Sequence, residues 1–200
     1  MTMKRILVTY ATNAGSTAEV AGAVGDGLDK DGTRVEVRPI EEVTTLDSYD
    51  AIVVGAPMIF GWHREARAFL KRHQEELGGV PVAYFMVALS LTDYDDDVYA
   101  GTRIYQDASL AKPPRNPDRL SFRERFTSVA NYVQPALESA PQVTPVSVGF
   151  FNGTMDYGRL NLFERLFVKV AFGAEEGDFR NWDAIQAWSE DLCADLVDGA

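Results

Sequence analysis

The segment Thr12-Asn13-Ala14-Gly15-Ser16-Thr17 combines hydroxyl side chains with a glycine, between a short apolar run and a helical pattern. A helix N-terminus binds anions through its unpaired N–H groups and its partial positive charge. Thr12, Ser16 and Thr17 add hydroxyl donors, and Gly15 lets the backbone approach a ligand closely. The pattern predicts a phosphate site, although a hydroxyl-rich helix cap that binds nothing has the same composition.

This loop lacks the residues of two widespread nucleotide sites. It has neither Gly-x-x-x-x-Gly-Lys-Ser/Thr, which holds nucleoside triphosphates, nor Gly-x-Gly-x-x-Gly, which binds dinucleotides. It also contains no Lys or Arg. A site built only from hydroxyls and backbone amides favours the phosphate of a cofactor that stays bound.

A second segment, from Gly55 to His63, is apolar and aromatic where a connection after a strand is usually polar. Its candidate ligand-binding residues are Pro57, Met58, Ile59, Phe60, Gly61 and Trp62. A flat aromatic cofactor explains this composition, because Phe60 or Trp62 can stack on a ring and Gly61 lets the backbone reach the ring edge. A loop that faces the core or a partner protein is the alternative.

A third connection, Ala88-Leu89-Ser90, follows another apolar run and is expected to contact the other side of such a ring. No residue near these loops is assigned a catalytic role. His63 is the only one of a type that titrates near neutral pH, and we expect it to be a solvated residue at a helix start. His63 and His73 form no ligand set with a cysteine, so no metal is expected.

Strand-length apolar runs and helical spacing alternate along the first half of the chain. Strands are predicted at 5–9, 35–39, 51–55 and 80–89, and helices over 16–29 and 64–77. This β-α-β-α-β order predicts a doubly wound parallel sheet with helices on both faces. Ligands in such sheets bind at the carboxyl ends of the strands, which is where the three candidate loops lie.

The alternation breaks after Ser90. Residues 91–118 are polar and rich in Asp and Pro, which is typical of a functional loop or an insertion. Further elements are predicted as helices over 119–138, 158–172 and 182–197 and a strand over 143–151. We expect a single domain over 1–200 that carries an insertion or long connection at about 91–130.

Composition narrows the class of partner and the compartment. The net charge of −11 argues against nucleic acid, because phosphate contacts need clustered Lys and Arg, and it suits a partner with a basic surface. The single cysteine, Cys193, lies among apolar residues and permits no intrachain disulfide, as in a reducing cytosol. The first apolar run is too short for a signal peptide, so a cytoplasmic protein is expected.

The segment from Thr12 to Thr17 resembles the FMN-phosphate loop of flavodoxins, in which Thr/Ser-x-Thr/Ser-Gly-x-Thr follows the first strand. Thr12, Gly15 and Thr17 match, whereas Ala14 stands where a hydroxyl residue is usual. The resemblance implies FMN as the cofactor and a three-layer α/β sandwich whose five parallel strands have the order 2-1-3-4-5. It also implies that one phosphate contact is lost at Ala14 or made by a backbone amide.

Other stretches resemble the flavodoxin-type, menaquinone-dependent protoporphyrinogen dehydrogenases. They are the loop from Gly55 to His63, the residues from Met155 to Leu160, and those from Gly177 to Trp182. The resemblance covers nearly the whole chain apart from about 91–130. It implies an FMN-dependent oxidoreductase that takes electrons from a porphyrinogen-like substrate, passes them to a quinone or a redox protein, and serves heme biosynthesis.

Other functions stay open at this stage. A one-electron carrier without a small-molecule substrate would dock redox proteins through its acidic surface, and a quinone or NAD(P)H reductase would use residues 91–118 as a substrate wall. A response-regulator-like module is disfavoured, because the first and third strands lack acidic residues at their ends. The apolar stretch 162–172, from Leu162 to Phe172, is expected to pack on the sheet, with membrane or substrate contact as alternatives.

Overall fold

The computed structural model describes residues 3–13, 15–58, 61–155 and 176–198. Its strands are β1 (Lys4–Tyr10), β2 (Thr33–Pro39), β3 (Ala51–Pro57), β4 (Val82–Ala88), β5 (Leu91–Thr92), β6 (Val98–Tyr99), β7 (Thr102–Gln106), β8 (Ala111–Lys112), β9 (Ser147–Asn152), β10 (Thr154–Met155) and β11 (Gly177–Asp178). Its helices are α1 (Ser16–Leu28), α2 (Arg64–Arg72), α3 (Gln74–Leu77), α4 (Phe122–Phe126), α5 (Val129–Ser139) and α6 (Trp182–Asp198). The predictions for Ala14, Ile59, Phe60 and the helix over 158–172 lie outside the described residues.

The main sheet formed by these residues has the strand order β2-β1-β3-β4-β9-β7-β6. The first five strands pair in parallel and reproduce the predicted order 2-1-3-4-5, with β9 as the fifth strand. The predicted number of five strands is wrong for the sheet as a whole. β7 pairs with β9 in parallel, and β6 pairs with β7 in the antiparallel direction, so the polar segment after Ser90 extends the sheet.

Helices cover both faces of the sheet. Val53 packs with side chains of α1 and α6, whereas its neighbour Val54 packs with side chains of α2 and α5. Successive side chains of a strand point to opposite faces, and both valines are fully buried. Continuous apolar strands are therefore required at this position in the fold, and the predicted three-layer α/β architecture is confirmed.

An apolar stripe along α6 forms its contact with the sheet, whereas Trp182 at the start of this helix is 42% exposed. Ile185, Trp188, Leu192 and Leu196 are at most 1% exposed, and burial of each such side chain contributes about 1.5–3 kcal/mol. Cys193 is half-buried and packs against the same layer.

Two predicted helices are interrupted, and their single-helix predictions are wrong. The helix over 64–77 breaks at His73, whose backbone has φ −107° and whose ring packs on Phe69 with a centroid distance of 4.7 Å. The helix over 119–138 breaks before Ser128, whose hydroxyl caps α5 by accepting from the Asn131 N–H at 3.3 Å.

Among the helices of the described ranges, none combines the length and the apolar character needed to cross a membrane.

The segment after β4 is anchored through Thr92. The Thr92 N–H donates to the Thr127 carbonyl at 2.8 Å, and the Thr92 hydroxyl donates to the Glu124 carbonyl at 2.8 Å. β5 also pairs with β8 in parallel. These bonds hold α4 and β8 directly beside the carboxyl end of β4.

Candidate functional site

The three loops predicted to bind a ligand lie side by side at one edge of the sheet. Backbone bonds connect them: Ala11 N–H donates to the Gly55 carbonyl at 3.0 Å, and Met58 N–H donates to the Val87 carbonyl at 2.8 Å. The Gly153 N–H, just beyond β9, donates to the Ala88 carbonyl at 3.0 Å. The parallel register therefore brings the loops after β1, β3 and β4 together, as the sequence predicted.

The N-terminus of α1 lies in the loop that was predicted to bind a phosphate. Gly15 precedes the first helical residue with φ +88°, in the left-handed region, where glycine adopts the turn without strain. Its N–H donates to the Thr12 hydroxyl oxygen at 2.9 Å, which leaves the Thr12 proton free to be donated elsewhere. Within the described residues no side chain caps α1, so the positive end of its dipole faces the loop.

Thr17 provides a test of whether a phosphate fits this loop. Its side chain is 1% exposed, and its hydroxyl oxygen has no hydrogen-bond partner in the part of the chain that the structure describes. A buried hydroxyl without a partner is costly, and a phosphate oxygen would supply the missing acceptor. Of the other predicted residues, Ser16 is half-buried and Asn13 is exposed.

A side-chain bond joins the first loop to the loop after β3. The Asn13 Oδ1 atom lies 2.9 Å from the His63 Nε2 atom, so the tautomer protonated at Nε2 donates to Asn13. The His63 side chain is only 16% exposed. His63 lies at the start of α2, as predicted, but its ring is only partly solvated because this bond holds it between the two loops.

The loop after β3 is more deeply packed than its predicted role requires. Trp62 is 2% exposed, and its ring lies 5.3 Å from the Tyr84 ring at an angle of 43°. Burial also raises the pKa of the Tyr84 hydroxyl. The prediction that Trp62 stacks on a ligand ring does not fit this placement, because the large indole is buried more favourably against the core.

The remaining described residues of this loop shape its backbone. Met58 is 8% exposed and forms an antiparallel bridge with Trp62. Gly61 has φ +103°, and Pro57 is half-buried. The loop therefore offers backbone groups at the strand edge.

The loop after β4 is held in place by a residue of α5. Ala88 is buried, and Leu89 and Ser90 are half-buried. The Tyr132 hydroxyl donates to the Ser90 carbonyl at 3.1 Å, and Tyr132 itself is 5% exposed. α5 therefore sets the direction of the backbone at this loop.

A buried carboxylate that the sequence analysis missed lies at the same end of the sheet. Asp107 is fully buried, and its Oδ1 atom accepts from the Ser109 N–H at 2.9 Å and from the Asn181 Nδ2 at 3.1 Å. The Ser109 hydroxyl also donates to this oxygen and accepts from Asn152 Nδ2 at 2.9 Å. Asn181 caps α6, so Asp107 connects β7, β9 and the start of α6.

Replacing Asp107 by alanine is expected to lower the free energy of unfolding by about 2–4 kcal/mol, because buried donors lose their acceptor. Asp107→Asn keeps the oxygen that accepts and changes only the Oδ2 position, which has no partner in the described part of the chain, so a loss below about 1 kcal/mol is expected. Urea unfolding followed by tryptophan fluorescence measures both values. Equal losses for the two variants would show that these bonds contribute nothing.

Arg180 lies against the first turn of α1. Its guanidinium donates to Glu19 Oε2 at 2.8 Å and to both carboxylate oxygens of Asp178 at 2.8 and 2.6 Å. It also lies 4.5 Å from the centroid of the Trp182 ring. The bonds to Asp178 raise the pKa of Arg180 and lower the pKa of Asp178. Although Asp178 and Glu19 are largely exposed, the arginine side chain is only 8% exposed.

Arg180 and Asp107 had different signals in the sequence. Arg180 belongs to the C-terminal stretch already singled out, but nothing there indicated a contact with a residue 161 positions earlier. Asp107 follows directly on β7, and a polar residue at the end of a strand is a signal for the ligand edge. β7 itself was not predicted, so that signal was missed.

Comparison with known proteins supports the same architecture. The family model described as Flavodoxin domain matches residues 7–181. The chain is 22% identical to a protoporphyrinogen IX dehydrogenase [quinone] from Leishmania major over 95% of this chain and 75% of the relative. It is 20% identical to the protein of the same description from Escherichia coli strain K12, over 97% of each chain.

A solved structure shares the fold over the whole length. The oxidoreductase from Corynebacterium diphtheriae superposes with a TM-score of 0.51 at 15% identity and covers 100% of both chains. At this identity the likeness concerns the fold alone. Because the family match runs from β1 to the residue before α6, the chain belongs to the Flavodoxin domain family.

Proposed function

We propose that the protein binds FMN and acts as an oxidoreductase that passes electrons from a reduced, porphyrinogen-like substrate to a quinone. The observation that carries the proposal is the open N-terminus of α1, where Gly15 has φ +88° and the buried Thr17 hydroxyl lacks a partner in the described residues. Hydroxyls and backbone amides at a helix start suit a cofactor monophosphate. Membership of the Flavodoxin domain family supports the same cofactor.

In this proposal the chain holds the cofactor at three places. The hydroxyls of Thr12, Ser16 and Thr17 and the backbone N–H groups at the start of α1 bind the phosphate. The backbone at 57–58, at Gly61 and at 88–90 faces the flavin ring, and Trp62 supports the loop from inside. The bond between Asn13 and His63 keeps the phosphate loop in register with the ring-binding loop.

FMN, when bound, supplies a ring that accepts electrons from one molecule and returns them to another. The protein's contribution is to bind and orient the cofactor. In the net reaction the reduced substrate loses two electrons and two protons. The quinone takes up these two electrons and two protons and becomes a quinol. The flavin is unchanged at the end of the cycle.

The acceptor and substrate are inferred from the relatives. Both curated relatives reported above carry a quinone and protoporphyrinogen IX in their descriptions, and the alignment to the Escherichia coli protein covers nearly all of each chain. A redox protein is the alternative to a quinone as the electron acceptor. The net charge of −11 suits such a partner if its surface is basic. We expect the protein to act in the cytoplasm.

The test begins with purified protein and its absorption spectrum. We expect flavin bands either as purified or after addition of FMN, and oxidation of a porphyrinogen by the loaded protein when a soluble menaquinone analogue is present. Absence of flavin bands even with excess FMN would reject the proposal. Bound FMN without turnover of quinone, together with electron exchange with a basic redox protein, would instead favour the carrier function.

A further inference from the structure

The loop from Thr12 to Thr17 contains no cation, yet a carboxylate lies next to it. Glu19 is in the first turn of α1, and its N–H bonds to the Gly15 carbonyl at 3.4 Å. An acidic residue there stabilises the helix through the dipole. The same negative charge, however, repels a phosphate dianion held at that N-terminus.

Arg180 compensates this charge from a distant part of the chain. Its guanidinium donates to Glu19 at 2.8 Å and is held by Asp178 through two further bonds. Stacking on the Trp182 ring at 4.5 Å fixes it from another side, and its side chain is only 8% exposed. An arginine with so little exposure is screened less by salt than a surface lysine would be.

Resting on the proposed function, we propose that Arg180 is a positioning residue for the cofactor phosphate, acting by neutralising Glu19. With Arg180 in place, Glu19, Asp178 and Arg180 together carry one negative charge beside the phosphate loop instead of two. Neutralisation concerns only a ligand with a phosphate. Binding of riboflavin, which has the same ring and no phosphate, does not depend on it.

The experiment measures the dissociation constants of FMN and riboflavin for apoprotein by quenching of flavin fluorescence. Arg180→Gln is expected to weaken FMN binding on the order of fivefold, because the variant leaves one additional negative charge that repels the phosphate dianion of FMN across solvent. The same variant should bind riboflavin within about twofold of the wild type, because riboflavin has no phosphate charge to be repelled. Arg180→Lys keeps a charge and should recover part of the loss.

A second substitution separates charge from folding. Glu19 is 65% exposed, so Glu19→Gln removes its charge with little effect on packing. In the double variant Glu19→Gln/Arg180→Gln, FMN affinity should return to within about twofold of the wild type, because the net charge beside the phosphate is then the same as in the wild type. Urea unfolding of each variant checks that the apoprotein is folded.

Three results would overturn the inference alone, provided that the wild type binds FMN. They are unchanged FMN affinity in Arg180→Gln, an equal loss for FMN and riboflavin, and the same loss in Arg180→Gln and in the double variant Glu19→Gln/Arg180→Gln. An equal loss would mean that Arg180 only supports the fold near Trp182. A wild-type protein that binds riboflavin and FMN equally also contradicts it, whereas one that binds neither flavin overturns the proposed function as well.

Discussion

Replacing Thr12 by aspartate is expected to weaken FMN binding about a hundredfold, because a carboxylate then lies within the proposed phosphate site. The Thr12 oxygen accepts from the Gly15 N–H at 2.9 Å, and a carboxylate oxygen accepts the same bond. The loop can therefore keep its turn while its charge becomes repulsive. Titration of apoprotein with FMN, followed by fluorescence quenching, measures the change.

The matched control is Thr12→Asn, which has the shape of aspartate and no charge. It should lose roughly tenfold or less, because only one hydroxyl donor is removed, and Thr12→Ser should bind nearly as tightly as the wild type. Riboflavin affinity should be similar in all three variants. If Thr12→Asp binds FMN as tightly as Thr12→Asn does, the phosphate is bound elsewhere.

Gly55→Ala is expected to lower the free energy of unfolding by about 3 kcal/mol, at the upper end of overpacking effects. Gly55 pairs with Phe85 in the parallel register of β3 and β4. A Cβ atom on Gly55 would lie 1.8 Å from Phe85 Cζ, and this ring is fully buried. Neither the strand nor the ring can move without disturbing the centre of the sheet.

The opposite result is expected for the same substitution at Gly22. Nothing lies within 4 Å of a Cβ atom there, and the residue is inside α1, so alanine should raise stability by about 0.5–1 kcal/mol. Urea unfolding gives both values. In the double variant Gly55→Ala/Phe85→Ala, the combined loss should be smaller than the sum, because the clash is gone. A Gly55→Ala protein with the wild-type midpoint would mean that the core relaxes around the methyl group.

The sequence predicted the central sheet well because buried parallel strands carry a strong local signal. Residues of β3 and β4 are apolar at successive positions, and this pattern follows from burial on both faces. β6 and β7 gave no such signal. β6 has two residues, and β7 contains the polar residues Thr102, Arg103 and Gln106. Their pairing therefore depends on contacts across the sheet that local periodicity does not contain.

The same distinction applies to the candidate site. The loop from Thr12 to Thr17 is contiguous, and a strand, a turn and a helix start define it in the sequence itself. The contact between Arg180 and Glu19 depends on the packing of α6 against α1, and the bonds of Asp107 depend on β7. Trp62 is buried against Tyr84, and the sequence could not show this because an aromatic residue in a loop looks the same whether it faces a ligand or the core.

Strands β7 and β6 also form one edge of the sheet. Every residue of β9 is buried, and without β7 its backbone would form an open edge able to pair with a strand of another molecule. β7 covers that edge, and the outermost strand, β6, is only two residues long and antiparallel. The segment that interrupts the regular fold therefore protects the protein against edge-to-edge aggregation, and a variant shortened there should be more prone to self-association even if its ligand loops are intact.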